Sequence, residues 1–206
     1  MTRGRVHPAH GTVGRKRLGR AALLLGLIVG LISGMSGQAQ SPNGLPPEAR
    51  RLAARAVEQL SVAIREAVFA WPASDAPELR TRAARMLNVT VGASHRHYRP
   101  EVGDPPGADG GGVIPYLQRL RELIRQHATG DGRERRLLFA LEIALSFARQ
   151  AQGDLVAALR GPVSVDDLRL AGRRSFALLS AARGASEDPL SEGGVRALLA
   201  QLASSP

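Results

Sequence analysis

Two histidines stand one residue apart in His95-Arg96-His97, and Glu101, Asp104 and Asp109 follow in the same stretch. In extended backbone, side chains two positions apart point to the same side, so His95 and His97 could jointly ligate Zn²⁺, Cu²⁺ or Ni²⁺. Glu101 or Asp104 would complete the shell. Arg96, between the imidazoles, would repel a cation, and solvated loop histidines are the plainer reading of so short a pattern. Asp104 and Asp109 lie near glycines, but they lack the alternating acids of a calcium loop and Pro105-Pro106 interrupts them.

Other chemistries are poorly supplied. The chain has no cysteine, which removes disulfides, thiol nucleophiles and Cys-ligated metal centres. Gly107 and Gly110-Gly111-Gly112 lead into a helical pattern at Val113, where free backbone N–H groups could receive an anion. No Lys-Ser/Thr pair follows and no strand precedes, so neither a phosphate loop nor a dinucleotide fingerprint is present, and a flexible lead-in to a helix suffices. Hydrolytic chemistry needs a nucleophile, a base and an orienting acid on a rigid scaffold. Downstream of residue 39 the only histidines are His95, His97 and His127. No catalytic constellation emerges, and the expectation is a protein that is not an enzyme.

The elements that must hold these residues read as helices throughout. From Pro47 to about Ala70, apolar residues recur every three or four positions at Leu52, Ala56, Leu60, Ile64, Ala67 and Trp71, while Arg51, Arg55, Glu58 and Arg65 fall elsewhere. After Pro72, Ser74 or Asp75 can cap a helix over Pro77 to about Val91, with Leu79, Ala83, Met86 and Leu87 inward. Residues 92–112 have no apolar period and are rich in Gly and Pro; a loop this long in a small domain is either functional or disordered. Helical patterns resume at Val113–His127 and Arg133–Arg160, the second containing Gly153 as a possible bend. Ser164 opens another to Arg183, closed by Gly184, and a short helix follows Ser191. The expected fold is all-α, an antiparallel bundle of four to five helices over residues 47–203.

The formal charge of +10 suggests nucleic acid until its location is noted. Arg3, Arg5, Arg15, Lys16, Arg17 and Arg20 carry six of the 28 basic residues, and no acid precedes Glu48. The rest has 22 basic against 18 acidic residues, an ordinary surface without a stacking platform, so no nucleic-acid partner is expected. The basic stretch precedes the uncharged run Ala21–Ile32 and then Ser33–Ala39, the order of a secretory signal cleaved before Gln40. Residues 40–46 form a linker. The apolar run reaches 15 residues if counted to Met35, below the ~20 that span a bilayer, which favours cleavage over an anchor at residues 21–35. Export to the periplasm, cell surface or medium is expected.

Leu79–Leu117 resembles a pattern of uncharacterised exported α-helical proteins of bacteria. There, a helix ending His-Ala-Glu-His-x-x-Asn-x-x-x-Gly precedes a Tyr, a Pro/Gly/Asp-rich loop and a Gly-x-x-x-Tyr-Leu helix start. Asn88, Gly92, Tyr98, Gly103-Asp104-Pro105, Gly112 and Tyr116-Leu117 fit it, whereas Arg82 and Arg85 stand where the pattern has histidines. The resemblance implies a helical fold and export, and no established activity. Arginine does not replace imidazole as a metal ligand, so any metal would move to His95 and His97. The leading expectation is an exported, non-catalytic binding or accessory module that touches an unidentified protein or small ligand through loop 92–112. The alternatives are a metal-binding protein using His95, His97, Glu101 and Asp104, and a bundle anchored by residues 21–35.

Overall fold

The computed structural model describes residues 45–128, 130, 132–184 and 194–203. The expected signal at 1–39, nearly all of the 40–46 linker and the turn before Ser191 lie outside these residues. Six α-helices are present among them: α1 (Pro47–Ala70), α2 (Ala76–Val91), α3 (Val113–Gln126), α4 (Gly132–Leu159), α5 (Val165–Arg183) and α6 (Val195–Ala203). A 3₁₀ turn occupies Pro100–Val102. The all-α bundle is as expected; the count exceeds four to five because the short α6 packs as a full member, burying Val195, Leu198 and Leu202. Among the described residues no helix is long and apolar enough to cross a membrane.

Local chemistry sets the helix ends. Asp75, rather than Ser74, caps α2, its carboxylate accepting from the Glu78 N–H at 2.7 Å. Ser164 caps α5 by accepting from the Asp167 N–H at 3.1 Å. Gly92 and Gly184 terminate α2 and α5 at φ 80° and 77°, backbone that other residues adopt only with strain. Gly153 does not interrupt α4, which continues through it to Leu159.

The core follows one line of α1. Ala49, Ala53, Ala56, Leu60, Ala63, Ala67 and Ala70 are buried, spaced alternately four and three residues apart. That is a heptad seam, with alanine at every position but one. A side chain of one carbon lets neighbouring helices approach closely, and α2, α3, α5 and α6 all pack on α1. The same four helices pack on α4, whose seam at Leu137, Leu141, Ala144, Ala148, Ala151, Leu155 and Ala158 repeats the spacing. The expected stripe on α1 was therefore turned toward its larger residues. Trp71 is 54% exposed, beyond the end of α1, with its ring edge-on to Phe176 at 5.1 Å. Leu52 is only half-buried.

One ion pair crosses this core. Glu66 of α1, 2% exposed, accepts from Arg82 of α2 at 3.1 Å, and Arg82 also lies 5.4 Å above the Phe69 ring. Removing Arg82 would leave the Glu66 carboxylate buried and uncompensated, whereas Arg82, a quarter exposed and 3.5 Å from Glu78, would keep a second acid.

A larger side chain on the alanine seam should harm the fold despite its greater hydrophobicity. Ala63→Leu is expected to lower stability by about 1–3 kcal/mol, because the added carbons have no space between α1 and its neighbours; urea denaturation of the two proteins measures it.

Candidate functional site

Loop 92–112 is tied to the bundle by polar side chains that the helices bury. Asn88, 1% exposed on α2, donates through Nδ2 to the carbonyls of Arg99 and Gly103 at 2.9 and 3.1 Å. Its Oδ1 accepts from the Arg99 N–H at 2.7 Å. Buried Gln59 of α1 takes the far limb, donating to the Gly107 carbonyl at 3.3 Å and accepting from the Asp109 N–H at 3.4 Å. Asp109 then gathers the Tyr116 hydroxyl at 2.7 Å, the Gly111 N–H at 2.9 Å and Arg55 at 3.0 Å. Burial acts to raise the Asp109 pKa, but these three donors outweigh it and hold the carboxyl below the usual range.

Two glycines close the loop at its neck. Gly112 sits at φ 81° with its would-be Cβ position 2.5 Å from the Gly92 nitrogen, so no side chain fits between the end of α2 and the start of α3. This accounts for the glycine-rich lead-in to α3 by close backbone packing. Asn88, Gly92, Gly112 and Tyr116, which belong to the pattern noted in the sequence, all brace the loop. Arg82 is committed to Glu66, and Arg85 donates to the Val102 carbonyl at 3.4 Å.

With the loop held, a groove of about 620 Å³ opens between residues 95–97, the start of α3 and the last three turns of α4. Val91, Ile114, Pro115, Gly153, Val156 and Ala157 supply its apolar part. Its polar groups are His95, His97, Gln118, Arg149, Gln152 and Arg160, and no carboxylate lines it. Arg149, Gly153 and Val156 share one face of α4, spaced four and three residues apart, and Arg160 follows four positions on, just past the helix end. Gly153 is what keeps the middle open: a Cβ there would meet nothing within 4 Å. A glycine inside a helix costs about 1 kcal/mol relative to alanine, a cost that no packing contact explains here.

The structure brings His95 and His97 together, with ring centroids 5.3 Å apart. His95 Nδ1 accepts from the His97 N–H at 3.2 Å, which occupies one imidazole nitrogen. Loss of hydration lowers the His97 pKa, and the charges of Arg96, His95, Arg160 and Arg99 lower it further. The carboxylates are elsewhere. The 3₁₀ turn places Glu101 beside Arg99 at 3.7 Å, and Asp104 lies by Tyr98, whose pKa burial and that carboxylate raise together. Among the described residues no group of three or more His, Asp or Glu is placed to hold a metal ion. Sequence reasoning missed Gln118, Arg149, Gln152 and Arg160. The available signal was an unexplained glycine flanked at helical spacing by two arginines.

No protein-family model matches the chain, and neither a curated protein nor a solved structure matches it. The geometry of the loop and groove therefore carries the functional argument.

Asn88→Ala removes the partners of two carbonyls and one N–H in a water-poor position. It is expected to lower stability by about 2–4 kcal/mol, since each buried group left unpaired costs roughly 1–3 kcal/mol. Amide hydrogen exchange should locate the loss, accelerating at Arg99 and its neighbours more than within α4.

Proposed function

We propose that this protein is an exported, non-catalytic helical-bundle module that binds a small ligand in the groove between the loop, α3 and α4. The observation that carries the reading is Gly153, an open glycine on a helix face where alanine would be more stable, at the middle of a groove whose volume falls within the range typical of ligand sites. The braced loop supports it by holding His95 and His97 at the rim without an ordering cost on binding. Metal binding by the same pair draws support from their 5.3 Å separation. Against it stand the positive charges of Arg96 and Arg160 and the lack of a converging carboxylate.

Export is proposed from the order of charges, apolar run and small residues in the first 39 positions. Gln40 is expected as the first residue of the protein recovered from outside the cytoplasm; N-terminal sequencing that instead begins upstream of Ala21 removes cleavage from the reading.

Gly153→Leu separates binding from folding. The leucine projects into open space and improves helix propensity, so the melting temperature should hold or rise. Native mass spectrometry after incubation with a small-molecule extract of the producing culture should show at least one species retained by the unaltered protein and lost from the variant. Equal retention, or none by either protein, would refute the groove as a binding site.

A further inference from the structure

The charge distribution along the groove says what kind of ligand fits. Arg149 lies on α4 and Arg160 follows immediately after its last residue, eleven positions on, so the two stand about three helical turns, roughly 16 Å, apart. Neither makes an ion pair or side-chain hydrogen bond with a described residue, although most arginines nearer the loop are so engaged: Arg55 with Asp109, Arg65 with the Pro106 carbonyl, Arg82 with Glu66, Arg99 with Glu101. The chain direction of α3 orders the groove. Arg121 and Arg125 of α3 reach Glu142 of α4, while Ile114 and Pro115 share the groove with residues 149–157, so α3 runs back along α4. Gln118 therefore lies toward the Arg149 end.

At the other end stand Arg160, His95 and His97, close enough for the arginine's charge to act on the His97 ring. Between the two ends Val91, Ile114 and Val156, all under 9% exposed, supply apolar surface around the open position at Gly153, with Gln152 beside it. Guanidinium groups match carboxylate and phosphate oxygens with paired hydrogen bonds, and in a groove without a carboxylate nothing internal competes for them. A cation is disfavoured at both ends for the same reason.

We propose that the groove binds an elongated organic dianion, with one carboxylate or phosphate held by Arg160 beside His95 and His97, a second held by Arg149 near Gln118, and an apolar middle lying over Gly153. This rests on the groove being a binding site and specifies its ligand class. The two oxyanion chemistries share the arginine contacts and differ in charge and geometry, so both belong in the test.

Isothermal titration of the protein uses octanedioate and hexane-1,6-diyl bis(methyl phosphate), each with one negative charge at either end, as probes, with octanoate and octane-1,8-diol as controls. At least one dianion should bind with a dissociation constant below about 10 mM. Arg149→Gln and Arg160→Gln should each weaken it about tenfold, the scale of one lost charge-assisted pair, without lowering the melting temperature. Octanoate should bind more weakly than octanedioate, respond to Arg160→Gln or Arg149→Gln but not to both, and the diol should not bind. Whichever of the two dianions binds more tightly identifies the headgroup. Failure of both dianions to bind, or binding unchanged in both arginine variants, overturns the proposal. Diol binding that Gly153→Leu abolishes would overturn the dianion while leaving the groove as a site; no retention of any extract species or probe would overturn both.

Discussion

The rest of the structure depends on how closely helices can approach α1. Its buried line is alanine at six of seven positions, and so small a line lets α2, α3, α5 and α6 lie close against it. Leucines there would push neighbours apart, and the interhelical spacing depends on side-chain size at the contact. The repeat of the same spacing on α4 means that two long helices, which make no close backbone approach to each other, are joined through α2, α3, α5 and α6. The bundle is thus packed around an alanine seam on α1 and a mixed Leu/Ala seam on α4, and large apolar groups such as Trp71 and Phe139 are left outside.

That density has a consequence for the loop. A tight bundle leaves little apolar surface for a Gly/Pro-rich segment to cover, so loop 92–112 is fastened by hydrogen bonds from side chains the helices have already fixed. Asn88 and Gln59 are buried, and a buried amide must find partners; here the partners are the loop's own backbone groups. The requirement runs both ways, since the loop satisfies the amides and the amides hold the loop. Gly92 and Gly112 let its two ends meet at a distance no side chain would permit.

The groove lies along the last turns of α4. Gly153 removes a side chain from a continuous helix in the stretch of α4 that lines the groove together with His95, His97 and the start of α3. Positive charge collects there because Arg149 and Arg160 pair with no acid among the described residues; the His97 pKa is lowered first by lost hydration and then by nearby charges that include Arg160. Acids in the neighbouring loop are occupied: Asp109 with Arg55 and Tyr116, Glu101 with Arg99. A site for an anion and a site for a metal ion require opposite fields, and this one has the former.

By itself the sequence determined what local chemistry decides. The extents of α1 to α5 follow from apolar recurrence and from breakers such as Pro72, Gly92 and Gly161-Pro162, and the cap at Ser164 from a side chain that can reach the next turn's N–H, while the α2 cap was narrowed to Ser74 or Asp75. The position of the long loop was legible too, because no periodicity runs through it. Which face of α1 is buried was not legible. Alanine is a weak hydrophobic signal, so a pattern weighted by size chose Leu52 and Trp71 over Ala53 and Ala49. The order within the loop was hidden for another reason: Gln59 and Asn88 read as ordinary polar residues until the fold buries them opposite carbonyls far along the chain. Only tertiary structure could set Arg160 beside His95 and His97, more than sixty residues away, with Arg149 at the far end of the same groove, and turn Glu101 toward Arg99 instead. Periodicity reports the neighbours of a residue along its own helix, whereas a binding groove is made by residues whose meeting depends on every helix between them.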